Sequence, residues 1–501
     1  MQKLSKSDSD TLLSDVSRTF DLKSCQLYNP IFSNYMTYYN NNYANNAFQI
    51  KSKYTMISCN RTEDNITGKI VKNYTQGNTK NSWNAKVFVK LNPLLDVDLY
   101  IKNFYSTHVN QDLMPNKYIQ TTINKLNSPN NSGYIEAFSL FTLSRLTETG
   151  KCPLFPYYYG TYNGIAKSFK YEITDEYRSL YRNKWFVENK DKLFTLVEDK
   201  YNDFDDVFES EEDKDDEEDT DITMTIKNDE GDIKMKDLDF DMDDIDWSEH
   251  EGTGHIEHLN EDYNMNSRYF ALVNDFPVQL ISMEKLELTL DQYVMTHDGN
   301  IDEEEWFSIL FQICFGMAVA QKDVWFTHND LHGNNIMFKK TKDEYLYFHY
   351  DDQYFRVPTY GKITKVIDFA RSIVKVEDKT YFSDVFRKDG HAEGQYSYPY
   401  RHYNFDMAKH KPNMSFDLAR LATTISHNLN NNSDVYGLLL EWMTDRYGNN
   451  LGKDEDNFEL YVKIARNVNN SIPERQIKKS VFNIFHINKS DIPPKTFVYY
   501  F

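Results

Sequence analysis

Alternation of hydrophobic and polar residues predicts strands through the first part of the chain. A two-residue period is the pattern of a strand that buries one face. The predicted strands are 49–58, 66–74, 86–91, a turn-containing segment at 153–164, and 276–286. The clearest is KVFVKL at 86–91, where Lys90 shares a face with Phe88 and lies opposite Val87 and Val89. The region from about 46 to 285 is therefore expected to be rich in β-structure.

Helical periodicity is strongest at 303–321, where apolar residues recur every three or four positions on more than one face. A helix with this pattern is buried on most sides. A second helix is predicted over 133–147, with Asn131 or Ser132 as its N-cap. Further helical patterns, separated by Asn-rich loops, follow from residue 415 onward. The pattern thus predicts an α+β protein with a β-rich part followed by an α-rich part.

The charge of the chain is concentrated in one segment. The 501 residues include 40% hydrophobic side chains, enough for a sizeable core, and carry a formal net charge of −21. Residues 198–251 hold 26 acidic side chains and five lysines, which accounts for the whole excess. The remainder is formally neutral, which argues against a protein that binds bare nucleic acid through bulk charge.

The acidic segment 198–251 is interpreted as a solvated, mostly disordered insertion. An EF-hand calcium loop needs a glycine in mid-loop and a glutamate at its end. The acidic runs at 213–224 and 237–248 do not supply that pairing. A basic partner attracted by the segment is the other functional interpretation.

Composition also predicts the compartment. The four cysteines, Cys25, Cys59, Cys152 and Cys314, show no paired spacing, so neither a disulfide framework nor a zinc site is predicted. The first residues lack the apolar core of a signal peptide. The apolar stretch 309–320 is shorter than the ~20 residues that span a bilayer. We expect a soluble intracellular protein that does not enter a membrane.

Candidate chemistry lies in THNDLHGNNIMF at 327–338 and VIDFARS at 366–372. Asp330 and Asn335 follow the predicted buried helix, and Asp368 ends a β-branched strand. Oxygen-bearing side chains that converge on one site suit Mg²⁺ shared with substrate phosphates. Phosphoryl transfer also needs a carboxylate that accepts the proton of the attacking hydroxyl. Asp330 fits that role, while Asn335 and Asp368 fit the metal.

This pair of motifs resembles the catalytic loop and metal-binding loop of the protein-kinase fold, H-R-D-L-x-x-x-N and D-F-G. The matching residues are His328, Asp330, Leu331, Asn335, Asp368 and Phe369. The sequences of the two motifs are most similar to those of the divergent Ser/Thr kinases of large DNA viruses, of the poxvirus and mimivirus type. The resemblance implies a bilobal α+β fold that binds ATP with Mg²⁺, or Mn²⁺, and acts on proteins in the host cytoplasm or the virion.

The resemblance also implies a division of the chain and further site residues. An N-terminal extension, 1–45, would precede an N-lobe, 46–285, that contains the acidic insertion, and a helical C-lobe, 286–501. Lys90 matches the strand lysine that holds the ATP phosphates, and Glu136 is preferred to Glu148 as its partner from helix C. The remaining implied residues are Met283, Glu284 and Leu286 at the adenine, and His328 and Asp417 in support of the catalytic loop.

Four departures from the family pattern bear on function. No glycine-rich loop precedes Lys90, so the groups that cover the phosphates are not identified. Asn329 replaces the family's arginine, so switching through an arginine–phosphate pair is not expected. His332 stands where Ser/Thr kinases usually carry a lysine, and a histidine at this place resembles the pattern of small-molecule kinases such as aminoglycoside and choline phosphotransferases. Ala370 replaces the glycine of D-F-G, and alanine resists positive φ, so this loop should flip less freely.

Three functions follow from these residues. The favoured one is an ATP-dependent Ser/Thr protein kinase. A small-molecule phosphotransferase is supported by His332. A catalytically silent pseudokinase that acts as a scaffold is supported by the missing glycine-rich loop, and opposed by the presence of Lys90, Asp330, Asn335 and Asp368.

Overall fold

Seven strands form one antiparallel sheet in the first half of the chain. The structure is a computed structural model. It describes residues 6–32, 52–62, 65–73, 81–105, 117–200, 267–387, 390–396 and 412–501. The strands are β1 (Leu22–Gln26), β2 (Tyr54–Arg61), β3 (Ile66–Lys72), β4 (Ser82–Pro93), β5 (Tyr158–Glu172), β6 (Thr195–Lys200) and β7 (Ser267–Glu284). Their order is β1-β5-β7-β4-β3-β2, and β6 pairs with the start of β7.

The predicted strands lie close to the observed ones, with differences at their ends. The segment predicted at 153–164 becomes a strand only at Tyr158. Pro153 and Pro156 precede that point, and proline has no N–H to contribute to a ladder. The strand predicted at 276–286 is longer and begins at Ser267, where its first half pairs with β5 and β6.

The N-terminal residues are part of the sheet, and not only an extension. Helix α1 (Lys6–Thr19) buries Leu12 and Val16, and β1 pairs with β5. The extension predicted at 1–45 was expected to be ordered only where it packs on a neighbour, and the short apolar stripe of α1 packs on the sheet in this way. Residues 33–50 lie outside the described residues.

The acidic segment begins inside a strand. Glu198 to Lys200 form the end of β6, and Glu198 accepts a hydrogen bond from the hydroxyl of Ser267, at 2.7 Å. Residues 201–251 of the predicted insertion lie outside the described residues. The boundary of the segment is therefore later than the charge count predicts, because charge alone does not distinguish a solvated strand from a linker.

Besides α1, the described residues of this half form the helices α2 (Val97–Ile101), α3 (Lys117–Asn127), α4 (Ser132–Glu148), α5 (Thr174–Leu180) and α6 (Lys184–Asn189). Helix α4 matches the predicted helix at 133–147. The side chain of Asn131, one of the two predicted caps, accepts a hydrogen bond from the N–H of Gly133, at 3.1 Å. Helix α4 lies between β5, β7 and the long helix α8 (Glu303–Val324), and is buried on nearly all sides.

The remaining helices are α7 (Leu290–Thr296), α9 (Phe416–Ile425), α10 (Asp434–Met443), α11 (Phe458–Asn467) and α12 (Pro473–Gln476). Helix α8 is central, and one hydrophobic core continues from α4 into it. In the part of the chain that the structure describes, α8 alone has the length and apolarity to cross a membrane, but 83% of its most apolar window is buried inside the fold. Its place in the core explains its composition.

The second half also contains strands, of which the one over Lys362–Val366 was predicted as the β-branched strand before Asp368. They are β8 (Ile336–Lys340), β9 (Tyr345–Tyr350), β10 (Gln353–Pro358), β11 (Lys362–Val366), β12 (Ile373–Val376), β13 (Lys379–Phe382), β14 (His486–Ile487) and β15 (Val498–Tyr500). Strand β8 follows the first motif and pairs with β11, which leads into the second motif, while β14, β10, β9 and β15 form a four-stranded sheet. All four cysteines are free.

Candidate active site

The loop between α8 and β8, residues 327–335, is called the catalytic loop below. Its backbone is held by Asp417 at the start of α9, whose two carboxylate oxygens accept the N–H groups of His328, at 2.9 Å, and Asn329, at 2.8 Å. Both N–H groups and the carboxylate are buried. Asn329 has a φ of 65°, a conformation that asparagine adopts more readily than most residues. Asp417 thus fixes the loop where it turns toward Asp330.

Asn329 joins the catalytic loop to the second motif without a charge. Its side-chain amide donates to the backbone carbonyl of Arg371, at 3.0 Å, and its carbonyl oxygen accepts the hydroxyl of Tyr396. Asn329 replaces the family's arginine, so no arginine–phosphate pair was expected to act as a switch at this place. The observed contacts of Asn329 are neutral hydrogen bonds.

The carboxylate of Asp330 is held by two elements distant in sequence. The hydroxyl of Tyr461 donates to Oδ1, at 2.6 Å, and Nε of Arg371 lies 3.8 Å from Oδ2. Burial raises the pKa of Asp330, but Arg371 and the neighbouring donors outweigh it, so its pKa lies below the ordinary value. Asp330 is therefore ionised at neutral pH.

The side chain of Asn335 is oriented within the loop. Its amide nitrogen donates both to the backbone carbonyl of Asp330, at 2.8 Å, and to Nε2 of His332, at 3.0 Å. With both amide protons used in this way, the oxygen Oδ1 is the atom that Asn335 can offer to a cation. His332 thus has a visible role inside the loop, in addition to its resemblance to other kinase classes.

Lys90 on β4 connects the sheet to the second motif. Its Nζ lies 2.9 Å from Oε1 of Glu136 on α4 and 3.0 Å from Oδ2 of Asp368. The second oxygen of Glu136 accepts the side-chain amide of Asn92, at 2.7 Å. Glu148, the less favoured candidate, instead pairs with Arg145 at the end of α4.

The charges in this group depend on one another. Burial lowers the pKa of Lys90, but Asp368 and Glu136 raise it above the ordinary value. Burial raises the pKa of Asp368, and Lys90 brings it below the ordinary value. The pKa of Glu136 remains raised, because burial outweighs the attraction of Lys90. The lysine is therefore fully charged and tightly held.

The residues after Asp368 are anchored in the core. Phe369 is buried against Phe155, Phe326 and the ring of His328. Nε2 of His328 lies 2.8 Å from the carbonyl of Ile367, which ties the two motifs together. Asp368, and not Ala370, takes the left-handed conformation, with a φ of 62°.

The end of β7 and the residues that join it to the second half contain the three predicted adenine contacts. Met283, Glu284 and Leu286 are buried. The N–H of Glu284 donates to the carbonyl of Tyr157, at 3.0 Å, and its carboxylate lies 3.6 Å from Nζ of Lys365. The side chain of Glu284 is thus used to fix the segment, so any contact with a base falls to the backbone.

Phe88 lies on the same face of β4 as Lys90, two residues before it, and is 43% exposed. Its strand partner is Met283, and the Nζ of Lys285 is 6.0 Å from the centre of its ring. This exposed aromatic ring provides a flat apolar surface on the face of β4 that also bears Lys90.

The turn that joins β2 to β3, residues 61–66, precedes Lys90 in the chain and is called the β2–β3 turn; residues 63–64 lie outside the described residues. It contains no glycine, and the N–H of Thr62 donates to the carbonyl of Asn65, at 2.8 Å. The nearest glycine, Gly68, lies inside β3, where an added Cβ would be 2.8 Å from Sδ of Met56 and 3.0 Å from Val87. Gly68 therefore serves strand packing.

The predicted catalytic and metal residues meet in one cavity of about 160 Å³. Its lining includes Lys90, Glu136, Asp330, Asn335 and Asp368. Within the described ranges, no group of three His, Cys, Asp or Glu side chains is arranged to hold a metal ion. A cation here would be bound by one carboxylate, one amide oxygen and its phosphate ligand.

Comparisons with known proteins find relatives over part of the chain. The chain is 32% identical over 96 residues to the serine/threonine-protein kinase haspin of Bos taurus, covering 19% of this chain and 12% of that protein. It is 39% identical over 83 residues to a putative serine/threonine-protein kinase of Acanthamoeba polyphaga mimivirus, covering 15% and 21%. The haspin homologue of Drosophila melanogaster is 28% identical over 115 residues, covering 23% and 20%.

The chain is similar to serine/threonine-protein kinases. These relatives support a place in the protein-kinase-like superfamily, although the matches span about a fifth or less of their length. No protein-family model matches the chain. A crystal structure of a kinase domain aligns with 20% of this chain and 31% of its own, at 19% identity and a TM-score of 0.14.

Three residues of this kinase-like site were not predicted from the sequence. Asn92 carried a usable signal, because a period of two places it on the same strand face as Lys90. Arg371 lies inside VIDFARS and could have been considered together with Asp368. Tyr461 lies 131 positions after Asp330 on an amphipathic helix, and its hydroxyl gives no sign of its direction in the sequence.

Proposed function

We propose that this chain is an ATP-dependent protein kinase that transfers the γ-phosphoryl group to serine and threonine hydroxyls of proteins. The observation that carries the proposal is the joint arrangement of Lys90, Glu136 and Asp368 beside Asp330 and Asn335 in one cavity. Phosphoryl transfer depends on the positioning of the reactants and on the stabilisation of charge, and this cavity contains side chains suited to both.

In the proposed reaction, Asp330 orients the acceptor hydroxyl and accepts its proton. Its lowered pKa keeps the carboxylate ionised before transfer. The oxygen Oδ1 is already bonded to Tyr461, so Oδ2 is the oxygen that would face the acceptor. A positioned acid or base contributes ~10²–10⁴-fold to the rate.

Lys90 holds the phosphates of the nucleotide in this proposal. Glu136 and Asp368 keep its ammonium group charged, and Asn92 prevents Glu136 from rotating away. A fixed positive charge in a site largely shielded from water stabilises the charge that develops on the phosphoryl oxygens.

The oxygen donors fit Mg²⁺, or Mn²⁺, because both are hard cations that share their coordination shell with phosphates. Oδ1 of Asn335 and the carboxylate of Asp368 would hold the ion. When bound, it would offset the negative charge of the phosphates. The adenine would lie between Phe88 and the backbone of Met283, Glu284 and Leu286.

Protein substrates are favoured over small molecules because the relatives that match are named serine/threonine-protein kinases. The resemblance of His332 to small-molecule kinases is weakened by its contact with Asn335, which gives this histidine a role inside the loop. A scaffold without activity is disfavoured by the intact ion pairs of Lys90.

One experiment separates these functions. The purified protein is incubated with labelled ATP, Mg²⁺ and a mixture of proteins, beside D330N and the control D352N, which changes an exposed aspartate. We expect labelled serine and threonine residues with the wild type and the control, and a loss of ~10²–10⁴-fold with D330N. Label only on small metabolites would support the phosphotransferase, and ATP binding without transfer would support the scaffold.

A further inference from the structure

Tyr461 brings a hydroxyl from helix α11 to the carboxylate of Asp330. The oxygen–oxygen distance is 2.6 Å, which is typical of a strong hydrogen bond to an ionised acceptor. The side chain is only 7% exposed and belongs to a small core with Phe416 and Leu460. Tyr461 itself lies outside both sequence motifs.

The ring of Tyr461 is clamped by two arginines. The guanidinium carbon of Arg420 lies 4.7 Å from the ring centre, and that of Arg371 lies 5.4 Å from it. Arg420 is itself fixed by Asp456, at 2.9 Å. Cations over the face of an aromatic ring attract it, so the ring is held in one orientation.

We propose that Tyr461 is a positioning residue for phosphoryl transfer, which holds Oδ1 of Asp330 so that Oδ2 faces the acceptor hydroxyl. The inference rests on the proposed kinase function and extends it to a residue of α11. A carboxylate that can rotate presents either oxygen at varying angles, whereas one bonded on one side presents the other in a fixed direction.

The alternative is that Tyr461 occupies the place of the acceptor and blocks it. Two observations oppose this. The residue lies on a helix packed against α9, not on a loop that could withdraw, and its ring is buried between two arginines. A blocking group would have to leave the site in every catalytic cycle, which would break this packing.

The test compares Y461F with the wild type and with Y436F, a partly buried tyrosine of helix α10. Y461F keeps the ring and removes only the hydroxyl. We expect kcat to fall about tenfold or more, as for a lost hydrogen bond to a charged group, while the KM for ATP is unchanged. Y436F should retain the wild-type kcat.

The pH profile provides a readout that a purely structural role would not move. The hydroxyl donor stabilises the ionised carboxylate, so its removal raises the pKa of Asp330. Since Asp330 must be ionised to accept a proton, the acid limb of the kcat profile should move to higher pH in Y461F. In the D330N background, Y461F should cause no further loss, because it acts through Asp330.

Three outcomes would overturn the inference. They are an unchanged kcat in Y461F, a raised kcat with a lower KM for the acceptor, and an additional loss in the D330N background. A wild-type protein that binds ATP but transfers nothing would overturn the proposed function together with this inference. An active wild type with an unaffected Y461F would overturn the inference alone.

Discussion

The catalytic loop and the β2–β3 turn, which lie on either side of Lys90 in the chain, are built in different ways. In the catalytic loop, side chains carry the chemistry, and Asp330, Asn335 and Asn329 are each fixed by named hydrogen bonds. The β2–β3 turn contains Arg61 but no glycine, and Thr62 donates to the carbonyl of Asn65 from both its N–H and its hydroxyl. The difference teaches that the reacting groups of a kinase-like site can be present without a glycine-rich loop.

The largest expected effect tests whether the charged lysine that lies between these two regions in the chain is needed for catalysis. K90M removes the ammonium group that bridges Glu136 and Asp368, and keeps most of the side-chain length. We expect kcat/KM to fall ~10²–10³-fold, as when one preorganised donor is lost. The control is K86M, an exposed lysine on the same strand. Equal activity of K90M and K86M would show that Lys90 plays no part.

The next prediction concerns the support of the catalytic loop. D417A leaves two buried N–H groups, of His328 and Asn329, without their acceptors. We expect the free energy of unfolding to fall by about 3 kcal/mol, since each unsatisfied buried donor costs ~1–3 kcal/mol. Denaturant unfolding measures the change, and D417N should lose less because it keeps one acceptor oxygen. A stability equal to the wild type would mean that the loop is held by other contacts.

These two predictions rest on residues that the sequence identified, because the chemistry of transfer restricts which side chains can serve. Asp330, Asn335 and Asp368 are recognisable by type and spacing, Lys90 and Glu136 follow from the resemblance to kinases, and the structure brings the five together. Tyr461 could not be identified in either way, since a tyrosine hydroxyl has many structural uses.

The fold shows the same division. Six of the strands (β2, β3, β4, β5, β7 and β11) and helix α4 were predicted near their observed positions, because each buries one face or is capped by a recognisable residue. The docking of α1 and the pairing of β15 with β9 depend on tertiary contacts between distant segments. Local periodicity carries no information about such partners.

A third prediction concerns how the sheet binds the nucleotide when no glycine-rich loop is present. If Phe88 supplies apolar contact to the base, F88A should raise the Kd for ATP about tenfold, within the range for loss of one base–aromatic stack. The control is W83A, which removes an exposed aromatic residue of the same strand from the opposite face. Calorimetry with ATP gives both values. Tighter binding by F88A would instead show that the ring obstructs the cleft.

The smallest expected effect separates strand packing from phosphate contact. In G68A the new methyl group would press on Met56 and Val87. We expect a loss of about 1 kcal/mol in the free energy of unfolding, because overpacking is partly offset by the gain over a strand glycine. The KM for ATP should not change, and a large rise in it would place Gly68 in the nucleotide site after all.

The position of β7 in the sheet has a consequence for synthesis. Strand β4 ends at Pro93, but its partner β7 is complete only at Glu284, so the two are made some 190 residues apart. At ~5–20 residues per second, β4 would wait on the order of 10–40 s on the ribosome with one edge open. Lys90 thus acquires its surroundings late, and a chain interrupted before β7 would expose an unpaired strand that other chains could join. The gap between these two strands makes this half of the protein dependent on uninterrupted translation.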